Sequence, residues 1–351
     1  MYSGSTEAVA ALPKADIHLH LEGAIRPPTV VDLARENGLD FPYANVEELQ
    51  RALNFEDFVS FLATFQAVNH CLAKPRDFER ISRELVEDLA VQNVVYAEVR
   101  YAPMHAMRRG LSFDDVTAAV LEGLRQGAAE TGPRLALICG LTRQWDFCLE
   151  TTKLAVKWAG RGLDAIDIGG DEAGFPAAAF VDVYRVAREG GLQLTAHAGE
   201  AAGPESVWAA IEQLGVKRIG HGIRAIEDPR LVEVLRDQGV TLEVCPTSNV
   251  KTGVVPDYAH HPLRRLYDAG VRVTLNSDDP AMFQTTVARE YELAAGEFGF
   301  SPAELRQLTG NAVEAGFCSA ETKEQLFVIL SEAKELPPQR QTRRFLARGS
   351  E

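Results

Sequence analysis

Short aliphatic and β-branched runs recur along the chain, and each ends in polar residues. They are ADIHLHLEG (15–23), VVYAEVRYAP (94–103), RLALICGLT (134–142), LDAIDIGGDE (163–172), LQLTAHAGE (192–200), VKRIGHGI (216–223), VTLEVCPTSN (240–249) and VRVTLNSDD (271–279). All eight read as strands. Amphipathic segments of helical period, such as SVWAAIEQLG (206–215) and PRLVEVLRDQG (229–239), separate most of them. Strands alternating with helices predict a parallel sheet, and eight such units closing on themselves predict an α/β TIM (β/α)8 barrel. A doubly wound open sheet is the alternative, but no G-x-G-x-x-G follows the first strand.

The first connection departs from the regular spacing. About seventy residues separate the first two strands, and they include NFEDFVSFLATFQAVNHCL (54–72). Phe55, Phe58, Phe61, Leu62 and Phe65 fall at helical spacing and form one apolar face. That face is read either as core packing or as a helical cover over the barrel mouth. Residues 301–332 read as closing helices. Residues 1–335 are thus expected to form a single barrel domain, with a helical insertion over about 28–92. The arginine-rich tail 336–351 carries a Pro pair and is expected to be loosely ordered.

Composition narrows the function classes. The chain has 351 residues and a formal net charge of −14, which argues against nucleic acid or an anionic membrane as a partner. Five cysteines (Cys71, Cys139, Cys148, Cys245, Cys318) are scattered without a C-x-x-C pair, as in reduced core thiols. No apolar run is long enough to span a membrane, and the first residues lack the basic and apolar regions of a secretory leader. A cytoplasmic location is the expectation.

In a barrel, chemistry sits at the C-terminal strand ends. Strand one ends with His18, His20 and Glu22, and strand four with Gly169, Gly170, Asp171 and Glu172. Strand five ends with His197 and Glu200, strand six with His221, and strand eight with Asp278 and Asp279. Because side chains alternate along a strand, His18 and His20 point the same way. Three imidazoles and one aspartate make a nitrogen- and oxygen-rich set suited to one Zn²⁺, which lowers the pKa of a bound water towards ~7. Strand four offers no lysine for a two-metal bridge. Other readings stay open for single residues: Asp278-Asp279-Pro280 is also a turn signature, and Glu200 could cap a helix starting in GPESVW. His221 between Gly220 and Gly222 points to a close approach of backbone or ligand. Cys245 and the isolated His70, His105, His260 and His261 read as ordinary structural residues.

LPKADIHLHLEGAIRP, YAEVRYAP, IDIGGDE, TAHAGE, RIGHGI, LEVCPTSN and TLNSDDPAMF, in this order and spacing, resemble the adenosine deaminase family of the amidohydrolase superfamily. The resemblance runs from about residue 12 to 330. It implies Zn²⁺ held by His18, His20, His197 and Asp278, and hydrolytic deamination of a 6-aminopurine to the 6-oxopurine plus ammonia. It places Glu200 to protonate N1, and His221 to take the water's proton and hold the attacking oxygen in line. Asp279 falls against the attacking water or N7, and the Gly170 N–H against N3. The family usually reads H-x-H-L-D-G, with the aspartate on the ribose 5′-hydroxyl; here that position is Glu22, one methylene longer. H-L-E-G also occurs in adenine deaminases and in relatives acting on 5′-extended nucleosides such as aminodeoxyfutalosine. Adenosine or a 5′-modified adenosine is the expected small-molecule substrate, with free adenine as the alternative.

Overall fold

The computed structural model describes residues 9–55, 58–129 and 132–333, and within them no side chain of 58–62. Eight parallel strand positions follow in sequence: β1 (Lys14–His20), β2 (Val94–Tyr101), β3 (Arg134–Thr142), β4 (Ala165–Gly169), β5 in two pieces (Gln193–Leu194 and Ala196–Ala198), β6 (Arg218–His221), β7 (Thr241–Val244) and β8 (Arg272–Leu275). Each pairs in parallel with the next. At the break in β5, the Thr195 N–H still donates to Ile166 O at 3.1 Å, which keeps the strand against β4. The ring closes where Leu19 bridges Asp278, with His20 N donating to Asp278 O at 2.8 Å and Asp278 N to His18 O at 2.9 Å. The chain is an α/β barrel of the TIM type, as the alternation predicts.

Several strands stop earlier than the apolar runs imply. The run 240–249 leaves the sheet after Val244, because Pro246 opens a helix, Pro246–Lys251. Pro280 likewise begins a short helix just after the last strand. Proline at a first helical turn loses no hydrogen bond and starts with a suitable φ. Four helices, Pro27–Glu36, Val46–Ala52, Phe58–His70 and Pro75–Val91, occupy the long first connection. Helix Phe58–His70 packs on the turn Glu22–Ala24, and the Phe65 ring meets His105 at 6.2 Å, so this helix flanks the mouth at the strand C-termini. Phe55 and Phe65 are half-buried against the core. The side chains of Phe58, Phe61 and Leu62 lie outside the described residues, as does the tail 336–351.

Period-two alternation sends aliphatic residues outward to the helices and polar ones into the barrel. Ile17, Leu19, Val99, Ile166, Ile168 and Leu242 are buried in the outer layer. The interior holds charge where many barrels hold Val, Ile and Leu. Arg100 Nε bonds Asp167 at 2.7 Å and its Nη2 bonds Glu243, while Arg218 bonds Glu98 at 2.7 Å and Glu243 at 2.6 Å. All five side chains are nearly or fully excluded from solvent. Such pairs add little net stability over apolar packing, but removing one partner strands a buried charge, at a cost of about 3–5 kcal/mol. Their value here is positional, because the carboxylates hold the histidines above them.

Candidate active site

His18, His20, His197 and Asp278 converge at the barrel mouth. One ligand atom from each lies within 4.8 Å of all the others. His18 Nε2 and His197 Nε2 are 3.0 Å apart, and Asp278 Oδ1 is 3.5 Å from His18 Nε2 and 3.3 Å from His20 Nε2. Two imidazoles are backed by carboxylates: His18 Nδ1 is hydrogen-bonded to Glu243 Oε2 at 2.8 Å, and His197 Nδ1 lies 2.9 Å from Asp167 Oδ2, an ion-pair contact outside hydrogen-bond alignment. A carboxylate on the far nitrogen puts the ring proton there and leaves Nε2 bare. Two bare nitrogens 3.0 Å apart repel each other unless a cation lies between them. Three imidazoles and one carboxylate suit a divalent metal of borderline softness, and the residues present fit that group.

The backbone is strained where the site needs it. His221 and Asp278 are non-glycine residues at φ 58° and 60°. That left-handed conformation costs roughly 1–3 kcal/mol and gathers at functional sites. Gly220 solves a different problem, since a Cβ there would come 2.7 Å from His18 Cε1 and 3.2 Å from His197 Cα. Gly220→Ala is therefore expected to push the His18 ring off its line and weaken divalent-metal affinity by about 10–100-fold, the size of an outer-shell defect. Competition with a chromophoric chelator measures this, and wild-type affinity would show that the pocket has slack.

The remaining residues singled out from the sequence also come to this mouth. Glu200 Oε2 is 3.6 Å from His221 Nε2, and His221 Nε2 is 3.9 Å from Asp278 Oδ2. Burial, with the charges of Asp278 and Glu172, pushes the Glu200 carboxyl up to about 8, so it holds a proton at neutral pH. Burial and the charge of Asp278 push Asp279 well above the usual carboxylate range. Asp279 Oδ1 is buried with no hydrogen-bond partner, which marks it as an atom awaiting a ligand. Gly23 makes room for it, since a Cβ there would lie 1.7 Å from that oxygen. Gly170, at φ 97°, follows β4 beside Gln144, whose Oε1 would meet a Cβ at 2.5 Å. Glu22 is buried, accepts from Ala102 N at 2.9 Å, and is raised by burial to about 7. Cys245 is buried and donates to Glu243 O at 3.4 Å, as a core thiol does.

Several supporting residues have roles that the sequence did not reveal. Glu172 accepts four backbone N–H groups, from Gly199 at 2.6 Å, Glu200 at 3.2 Å, Ala201 at 2.8 Å and Ala202 at 2.9 Å. It clasps the loop that carries Glu200. Arg143 donates to His197 O at 2.6 Å and Phe175 O at 2.7 Å, bracing β5. His261 is a buried member of a side-chain chain that ends at His221. At the outer rim, the His105 ring meets Trp145 at 4.5 Å and the Arg108 guanidinium lies 4.6 Å over the same indole.

Comparison with known proteins identifies the family. The family profile described as adenosine deaminase matches residues 13–333. An adenine deaminase of Rhizobium leguminosarum bv. trifolii is 40% identical over 323 residues, covering 91% of this chain and 99% of that protein. An adenosine deaminase of Serratia proteamaculans is 40% identical over 324 residues, covering 90% and 97%. A solved amidohydrolase from Burkholderia ambifaria, with bound Zn, superposes with a TM-score of 0.87 at 29% identity, over 95% of this chain and 94% of that one. The chain accordingly belongs to the adenosine deaminase family, the metal-dependent hydrolases of TIM-barrel fold that deaminate adenosine or adenine.

Proposed function

We propose that this protein uses one Zn²⁺ per chain to deaminate a 6-aminopurine nucleoside, adenosine or a 5′-modified adenosine such as aminodeoxyfutalosine. The observation that carries this reading is the ring of Glu200, His221 and Asp279 around the three-histidine, one-aspartate donor set. His18, His20, His197 and Asp278 would hold the metal, which when bound supplies a water acidified towards ~7. Glu200 donates its proton to N1, which makes C6 open to addition. His221 faces the oxygen that adds to C6. Asp279, whose carboxyl is held protonated, donates a hydrogen bond to N7 or accepts one from that oxygen through its partnerless Oδ1. The Gly170 N–H faces N3, and Gln144 closes the space a side chain would need. A C–O bond forms and the C6–N bond breaks; of the two protons of the added water one restores the Glu200 carboxyl and the other leaves with ammonia, and the N1 proton stays on the 6-oxopurine.

Glu22 bears on what the purine carries. Its carboxyl is fixed by the Ala102 N–H at the end of β2, with the Arg109 charge nearby. Beyond it, Phe65, His105 and Trp145 form an aromatic wall where a 5′ substituent can lie. The second reading is free adenine, favoured by the longer Glu22 side chain filling ribose space and by the Rhizobium relative's name. Values of kcat/KM for adenine, adenosine and a 5′-substituted adenosine separate the readings. Glu22→Asp is expected to raise kcat/KM for unmodified adenosine by about tenfold, the order of one methylene in a fitted pocket. Wild-type preference for adenine would replace the nucleoside reading, and no change in Glu22→Asp would detach Glu22 from the 5′ group. A cytoplasmic location fits five free cysteines and the absence, among the described residues, of a helix long and apolar enough to cross a membrane.

A further inference from the structure

His261 lies between helix Pro246–Lys251 and helix Leu263–Asp268, outside the donor set and its immediate neighbours. Its Nδ1 accepts the backbone N–H of Leu263 at 3.1 Å. A backbone amide can only donate, so this nitrogen carries no proton. Burial drives the His261 pKa down to about 3, so the ring is neutral and its one proton sits on Nε2. That Nε2 is 3.2 Å from Asn249 Oδ1 and donates to it. The contact decides which end of the Asn249 amide is oxygen, as hydrogen-bond partners must. The amide nitrogen then faces His221 Nδ1 at 3.1 Å and donates in turn. Asn249 is fully buried, and His221 and His261 are nearly so.

We propose that His261 and Asn249 are positioning residues that lock His221 in its Nε2–H tautomer, so that His221 donates a hydrogen bond to the attacking oxygen. The direction of every bond follows from one backbone N–H. His221 Nε2 points into the mouth, 3.6 Å from Glu200 Oε2 and 3.9 Å from Asp278 Oδ2, where that oxygen is expected. A nitrogen that already holds a proton cannot take one from water. This replaces the proton-accepting half of the role that the family resemblance implies for His221. The oxygen-holding half stands. The inference rests on the reading of His221 under Proposed function, yet the tautomer itself can be observed without turnover.

The test uses zinc-loaded full-length protein labelled with ¹⁵N-histidine. Two-bond ¹H–¹⁵N correlation spectra report which ring nitrogen carries the proton. His221 and His261 are both expected as Nε2–H forms. Asn249→Asp keeps the shape but can only accept, and so calls for a proton on His221 Nδ1. In that variant the spectrum is expected to switch, and kcat to fall about a hundredfold or more, as when a catalytic histidine is held in the wrong tautomer. KM and zinc per chain are expected to stay within about threefold, because no ligand or substrate contact is removed. His261→Phe, which frees the amide to turn over, is expected to lose activity, and His261→Gln, whose amide can donate as Nε2–H does, to recover most of it. If Asn249→Asp does not fold, the wild-type spectrum and the His261 pair still decide. A His221 Nδ1–H signal in the wild type overturns the proposal, and so does an Asn249→Asp enzyme with unchanged spectrum and kcat. A protein inactive on every purine but showing both Nε2–H signals would overturn the proposed substrate while leaving the relay in place.

Discussion

Glu200→Gln is expected to bind zinc and purine as the wild type does and to lose kcat by about 10²–10⁴-fold, the range for removal of a general acid. The carboxyl lies three residues past His197 on a loop clasped by Glu172, so its place is set by backbone that the substitution leaves alone. Burial comes first among the causes that hold its proton on, and the neighbouring carboxylates Asp278 and Glu172 add to it. Glutamine keeps the size and one donor but has no proton to give. The sign of the pH effect follows: with its pKa raised to about 8, Glu200 is protonated below that pH, and activity falls as pH rises through it. A bound dication pulls the pKa down, so the limb is expected at or below about 8 in the loaded enzyme, and absent in Glu200→Gln. Isothermal titration with a non-hydrolysable purine, metal analysis and the kcat profile measure the three parts. Near-normal kcat would remove Glu200 as the proton donor.

Why the histidines could be read from the sequence and their supports could not is a matter of range. ADIHLHLEG shows period-two alternation within a few residues, and Pro, Gly and acidic runs mark the strand ends locally. The barrel follows from counting such units. Glu243 and Asp167 carry no local signal, because a lone acid in TLEV or AIDIG looks like any polar position of an alternating strand. Their work depends on facing His18 and His197 from strands 225 and 30 residues away. Asn249 and His261 sit in loop-rich sequence where Asn, His and Pro are ordinary turn residues. Only the hydrogen-bond directions single them out. The break in β5 at Thr195 and the early end of β7 at Val244 were likewise hidden: the apolar runs continue, and it is Pro246 and the turn into the site that stop the pairing. Gly220 was noticed for its position beside His221, while its contact is with His18 from the other side of the barrel.

Asp278→Asn is expected to abolish stoichiometric metal binding while leaving a folded barrel, and it is a sharper test than Asp278→Ala. Asp278 does two jobs. Its backbone closes the barrel, donating to His18 O and accepting from His20 N, in a left-handed conformation at φ 60°. Asparagine tolerates that conformation and alanine does not, so Asp278→Ala adds about 1 kcal/mol of strain that has nothing to do with ligation. The side chain supplies the one charged donor, 3.3–3.5 Å from His20 and His18 Nε2. A neutral amide in its place leaves three imidazoles and no compensating charge, and metal affinity is expected to drop by more than the ~10–100-fold that loss of an outer-shell partner costs. The loss also reaches the acids around it, because the Asp278 charge helps hold the protons on Glu200 and Asp279. Removing it lowers both pKa values, so excess zinc should restore occupancy before it restores kcat. Metal per chain, melting temperature and zinc-titrated activity follow these effects separately. Full occupancy with wild-type kcat in Asp278→Asn would mean that the fourth ligand is another residue.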